Sequence, residues 1–165
     1  MGYKNRYIGV VLCEMQALNL PPYPFKIKLE SGKHKIFDPV RRKYLILTPE
    51  EWVRQHFIQF LILHKGFPGG LFKIEGGVSH HQRQGRYDVM VANRAGKPIM
   101  LIECKAPSVK LDEETLFQIA RYNTEMEVSY FCITNGLKHV FLEIDHEIKQ
   151  IKQLPDLPDY NYLTQ

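Results

Sequence analysis

Tyr87-Asp88-Val89-Met90-Val91-Ala92, then Asn93-Arg94-Ala95-Gly96-Lys97, then Pro98-Ile99-Met100-Leu101-Ile102-Glu103-Cys104-Lys105: this stretch decides the fold. Its outer segments are rich in branched residues and read as β-strands, and the Asn and Gly between them are turn signals. If Asn93 and Pro98 close the hairpin, counting outward sets Asp88 opposite Glu103 and Arg86 opposite Lys105. Facing residues on one side of an antiparallel pair have Cβ atoms about 4.5–5.5 Å apart. Two carboxylates at that range repel by roughly 3 kcal/mol at an effective dielectric of about 20. A fold tolerates this when a cation lies between them or when they share a proton. A bulge near the turn would move the register.

Strand alternation puts Met90, Ala92, Ile99 and Leu101 on the face of the acidic pair, and Val89, Val91, Met100 and Ile102 on the other. Both faces are apolar, so the two segments read as central strands covered on both sides. Charge then collects at one end, with Glu103 and Lys105 on one face and Cys104 turned away. A hard cation such as Mg²⁺ takes one or two carboxylates plus waters, and a backbone carbonyl can add a ligand. Lys105 beside such a site could hold a phosphate oxygen or help deprotonate a metal-bound water. The plain alternative is a solvated Glu-x-Lys ion pair at a strand end.

Outside this hairpin, Phe25 to Leu29, Lys35 to Asp38 and Tyr44 to Leu47 read as short strands, the first two turning at Ser31-Gly32. Thr48, Pro49 and Glu51 spell a capped helix start with a capping box, and Gly66 ends the helix. Trp52, His56, Phe57, Phe60 and Leu63 are its buried stripe. Leu71 to Ile74 starts the core sheet, and Asp112 caps a second helix with Leu111 and Leu116 as a staple. Val128 to Thr134 and Lys138 to Ile144 are two further strands. A helix between the third and fourth core strands predicts that this pair is parallel. The sum is an α/β fold with a mixed sheet flanked by helices.

These residues resemble a known superfamily. Asp88, fourteen intervening residues, then Glu103-Cys104-Lys105 looks like the PD-(D/E)xK nuclease signature, with Tyr87 where the name has Pro. Gln118-Ile119-Ala120-Arg121-Tyr122 is a Q-x-x-x-Y on the following helix, as in RecB-like nucleases. From about Pro24 to Asn135 the chain looks most like the N-terminal domain of type I restriction enzyme R subunits. The segments that carry this are Thr48-Pro49-Glu50-Glu51-Trp52-Val53-Arg54, Glu103-Cys104-Lys105-Ala106-Pro107 and Thr134-Asn135-Gly136.

The resemblance implies a restriction-endonuclease-like core, with Asp88 and Glu103 as ligands of Mg²⁺ (or Mn²⁺) and the Cys104 carbonyl as a third. It makes Lys105 the catalytic lysine and Gln118 with Tyr122 an accessory pair near the substrate phosphate. Glu50 at the start of the first helix would join the site, with Glu51 beside it as the alternative. The reaction implied is attack of a metal-bound water on a DNA phosphodiester.

Composition is compatible with this. The 165 residues suffice for one real core, divided here as a 1–23 extension, a 24–145 nuclease domain and a 146–165 tail. The net charge of +4, from 22 Lys+Arg against 18 Asp+Glu, suits a phosphate-bearing partner without a histone-like excess. One basic group spans Lys26 to Lys43 and reads as a solvated face. Arg83 and Arg86, leading into Asp88, are the better DNA contacts. Three cysteines without C-x-x-C spacing fit a reduced cytoplasm, and scattered histidines give no zinc site. No membrane span is expected.

Three readings follow: a metal-dependent DNA endonuclease domain of the restriction type, a DNA-binding or assembly module on the same fold, and a hydrolase of another phosphate ester. The 165 residues contain no G-x-x-x-x-G-K-[ST] loop, so any helicase motor would be a separate partner, alongside restriction-modification subunits. A homo-oligomer is left open.

Overall fold

A computed structural model describes residues 15–74, 87–112 and 128–164. Two sheets are present among them. The smaller is an antiparallel meander of β1 (Ile27–Glu30), β2 (Lys33–Asp38) and β3 (Lys43–Ile46). Ser31 and Gly32 both have positive φ, 51° and 72°, which closes the first hairpin with the twist that two-residue loops need. The larger sheet has six strands in sequence order: β4 (Phe72–Ile74), β5 (Val89–Ala92), β6 (Pro98–Cys104), β7 (Tyr130–Thr134), β8 (His139–Asp145) and β9 (Gln150–Leu154). All its neighbouring pairs are antiparallel except β6 and β7, the parallel pair expected from the long connection between them. The mixed α/β class is therefore the one read from the sequence.

Helix α1 (Pro49–His64) begins where Thr48 Oγ1 accepts the Glu51 N–H at 3.1 Å. The expected capping box is only half made, because the Glu51 carboxylate turns instead to Gln55, Arg54 and Arg41. Gly66, at φ 69°, ends the helix and lets the Phe67 N–H return to the Leu61 carbonyl at 3.0 Å. The buried face is Trp52, Val53, His56, Phe57, Ile58 and Leu61, while Leu63, expected inside, is exposed. Val53, Phe57, Ile58 and Leu61 pack on Val89, Val91, Met100, Ile102 and Cys104. The opposite face of the sheet buries Met90, Leu101, Phe131, Ile133, Val140 and Leu142 with Leu111 and Val128. Each fully buried side chain of this size contributes about 1.5–3 kcal/mol, so the strand ends carrying charge are held on a stiff base.

The hairpin register holds along Val89–Val91 and fails at the turn. Val89, Met90 and Val91 face Ile102, Leu101 and Met100 as counting predicts, but Pro98 faces Ala92 and not Asn93. Ile99 is thus an extra residue in β6, and the bulge turns it into the cluster under α1 instead of the face shared with Leu101. Asn93 makes the loop itself, its Oδ1 accepting from Ala95 and Lys97 N–H at 3.0 and 2.9 Å.

Both ends of the described chain are packed. Gln16 O accepts from the Trp52 indole at 3.2 Å, and the Asn19 N–H donates to Gly136 O at 2.7 Å, within the stretch read as an extension. The stretch read as a tail supplies β9 and a helical turn, α2 (Tyr160–Leu163), whose Tyr160 and Leu163 join Leu157 in the core. Tyr160 N–H reaches the Lys65 carbonyl at 3.0 Å, and Lys65 pairs with Asp156 at 2.8 Å. The second helix expected after Asp112 lies outside the described residues.

Candidate functional site

Asp88 stands one residue before β5, and Glu103 and Cys104 close β6, so both strands deliver their polar residues to one end of the sheet. The Asp88 N–H donates to Ile102 O at 3.1 Å, although Val89 is already the ladder partner of Ile102. Two residues therefore oppose one, as in a β-bulge. The regular Asp88–Glu103 pairing expected from counting does not form. The bulge instead carries the Asp88 side chain to the Cys104 amide, with Oδ2 accepting at 2.7 Å. Among the described residues only Oδ2 of this carboxylate is engaged.

The backbone explains what Cys104 can offer. The Lys105 N–H points the other way, donating to Thr134 O on β7 at 2.8 Å. Alternation along a strand then aims both the N–H and the C=O of Cys104 at the side where Asp88 lies. The thiol is turned into the core, and burial pushes its pKa well above the ordinary thiol value. Cys104 contributes backbone, not sulfur.

Glu103 and Lys105 form an ion pair, Oε1 to Nζ at 2.6 Å, with the carboxylate 13 % and the lysine 30 % exposed. Burial alone would pull the Lys105 pKa down. The Glu103 hydrogen bond and the charges of Glu103, Asp88 and Glu50 outweigh that, so it ends above the ordinary value. The mutual repulsion of the two acids is thus met by an ammonium on one and an amide on the other.

Helix α1 adds two neighbouring acids with different fates. Glu50 is exposed on the first turn, near enough for its charge to act on Lys105. Glu51 is 5 % exposed and committed: it pairs with Arg54, lies 3.5 Å from Arg41 Nη2, and accepts from Gln55 at 2.8 Å. Arg41 in turn binds fully buried Asp38 at 2.6 Å. Burial and the Arg41 charge lower the Arg54 pKa, while the charges of Cys104, Asp88 and Asp38 oppose the fall. The sequence reading missed this chain of buried charges, although Asp38, Glu51 and Arg54 each fall at inward positions of their elements.

Asp88, Glu103 and the Cys104 carbonyl would offer a metal an all-oxygen donor set, the type that hard cations such as Mg²⁺ prefer. Among the described residues, no three His, Cys, Asp or Glu side chains group as a metal cluster. Two carboxylates and a carbonyl leave the other coordination positions to water and substrate, as Mg²⁺ requires. Gln118, Tyr122, Arg83 and Arg86 lie outside the described residues.

The family model for the type I restriction enzyme R protein N terminus matches residues 49–158, about two thirds of the chain. The chain belongs to that family. The match takes in α1 with Glu50, Glu51 and Arg54, both strand ends of the site, and β9. Among solved structures, a fragment of an HsdR subunit of a type I restriction enzyme from Vibrio vulnificus YJ016 is similar at 23 % identity, with a TM-score of 0.37. The similarity covers 58 % of this chain and 18 % of that one, so the chain spans less than a fifth of that fragment. At that level it carries no argument about chemistry. No protein of curated function matches the chain. Among the described residues no helix is long and apolar enough to cross a membrane.

Proposed function

We propose that this R-protein N-terminal domain hydrolyses DNA phosphodiesters with the help of Mg²⁺ or Mn²⁺, as the nuclease part of a restriction system. The observation that carries the reading is the Asp88 carboxylate on the Cys104 amide beside the Glu103–Lys105 pair. Asp88, Glu103 and the Cys104 carbonyl would hold the ion. Such an ion supplies a water of lowered pKa and offsets charge building on the phosphate oxygens. Lys105, kept protonated by its acidic neighbours, donates hydrogen bonds to a non-bridging phosphate oxygen and stabilises it as its charge grows. That state favours phosphate binding over proton removal from water. Glu50 stands at the rim to orient solvent, and Glu51 holds Arg54 and the helix start. Gln118 and Tyr122, with Arg83 and Arg86, complete the reading as residues facing the substrate backbone. DNA, modification and specificity subunits, and a motor are the partners that go with it.

The experiment is incubation with plasmid and with single-stranded DNA in Mg²⁺, Mn²⁺ or EDTA. Metal-dependent nicking, abolished in Asp88→Ala, Glu103→Ala and Lys105→Ala, is the expected result. Salt-sensitive DNA binding with no cutting under any metal would favour the second reading, a binding or assembly module. Inert DNA with turnover of a small phosphodiester would point to a different phosphate ester.

A further inference from the structure

The basic residues between Lys26 and Lys43 are not scattered. In the ladder, Lys28 faces Lys35 and Lys35 faces Ile46, while Phe37 faces Tyr44 and donates its N–H to Lys26 O at 2.9 Å. Cross-strand partners share a face, so Lys26, Lys28, Lys33, Lys35, Phe37 and Tyr44 lie together on one side of the small sheet. That side is the outer one. Ile36 and Asp38, on the other side, are fully buried, whereas Tyr44 is 38 % and Ile46 50 % exposed.

The ammonium groups on this face are organised. Lys28 Nζ sits 4.3 Å from the Tyr44 ring centroid and Lys26 Nζ 5.7 Å from that of Phe37. Glu30 is the single acid on the face and is held by Lys28 and Lys35. Four positive charges against one remain, and Lys26 and Lys33 are exposed with no carboxylate partner among the described residues. A row of cations standing on aromatic rings is complementary to a chain of phosphates.

The buried side of the same sheet is tied to the helix beside the candidate site. Asp38 ends β2, Arg41 follows it, and Arg41 and Arg54 meet on Glu51 at the start of α1. Asp88 is close enough for its charge to act on Arg54.

We propose that the outer face of β1–β3 is a DNA-backbone track that holds phosphates on Lys26, Lys28, Lys33 and Lys35 and leads the strand toward the Asp88 end of the large sheet. This deepens the nuclease reading and rests on it for the identity of the nucleic acid. The exposed Tyr44 and Ile46 give the sugars an apolar contact between phosphates.

The test is fluorescence anisotropy of the full chain with labelled DNA in EDTA, across a series of salt concentrations, together with cleavage kinetics in Mg²⁺. The variant is Lys26→Glu with Lys33→Glu, neither of which belongs to the core. Its dissociation constant should rise at least tenfold, its salt slope should become shallower by about two, and KM for cleavage should rise. Lys26→Gln with Lys33→Gln should give a smaller change of the same sign, and remains available if charge reversal perturbs folding by circular dichroism. Unchanged affinity and salt slope in both double variants would overturn the track. So would equal binding of poly-glutamate and DNA, since bare positive charge attracts no acidic peptide chain less than a phosphate chain. The two ideas fail separately. Cleavage with an unchanged KM in the charge-reversed protein sinks the track alone, and DNA held on this face without metal-dependent cutting sinks the nuclease alone.

Discussion

The Asp88 carboxylate is anchored on the backbone of Cys104, Oδ2 to N at 2.7 Å, so the residue before β5 is tied to the end of β6. This bond fixes one carboxylate oxygen and presents the other. Asp88→Asn can keep the bond through its amide oxygen while losing the charge. It should reduce metal-dependent cleavage at least a thousandfold and leave the melting temperature near wild type. Asp88→Ala should lose cleavage equally and also leave the Cys104 N–H unpaired, at about 1–3 kcal/mol. Nicking assays and thermal melts of the two variants, side by side, read the difference.

The Glu103–Lys105 pair gives a signed pH dependence in the metal-free protein. Burial lowers the Lys105 pKa, but Glu103 and the other acids lift it above its ordinary value. A group raised on folding contributes stability that is fully present below its unfolded pKa, near 10.4, and is lost as pH rises through the folded value. The stability gap between wild type and Lys105→Met should therefore stay level from pH 6 to about 9 and narrow above about 10.4. Urea melts across that range provide the check. A gap that closes near pH 7 would mean that the pair is not formed.

Glu50 and Glu51 should separate cleanly. Breaking a buried ion pair by removing one partner costs about 3–5 kcal/mol, so Glu51→Gln should be strongly destabilised, with Arg41 and Arg54 left facing each other. Glu50 is exposed, and Glu50→Gln should stay within about 0.5 kcal/mol of wild type while altering metal-dependent cleavage. Denaturant midpoints set against cleavage rates distinguish the two.

Gly136 should not tolerate a side chain. Its φ is 80°, and a Cβ there would lie 2.7 Å from Leu18 Cδ2 and 3.1 Å from Val53. Gly136→Ala should cost about 1–3 kcal/mol by calorimetry. Adding Leu18→Ala should recover the part due to crowding and not the part due to backbone strain. Full additivity of the two changes would show that Leu18 does not pack on Gly136.

What was legible follows from what was local. Apolar runs bounded by Asn, Gly and Pro gave eight of the nine strands, and Thr48-Pro49 with Gly66 bracketed α1. The long link after Cys104 gave the parallel pair. The offset at Asp88 and the extra residue at Ile99 were not legible, because a bulge is set by how strand ends meet their neighbours and leaves no mark on alternation. Strand β9 was missed because Gln150-Ile151-Lys152-Gln153-Leu154 is an edge with only two apolar residues. Leu157, Tyr160 and Leu163 were hidden among prolines and acids, although their three-residue spacing is that of a buried helical stripe. The residue types of the candidate site were legible as a proposal. Its geometry, an acid held by an amide instead of by a facing acid, was not.

Titrating Mn²⁺ into the protein and following free ion by electron paramagnetic resonance tests the proposed centre most directly. One ion should bind per chain in wild type and in Glu50→Gln, and binding should weaken at least tenfold in both Asp88→Asn and Glu103→Gln. Mn²⁺ binding that is absent from the folded wild-type protein, or equal in wild type and both of those variants, would contradict a metal centre at the Asp88–Glu103 strand ends.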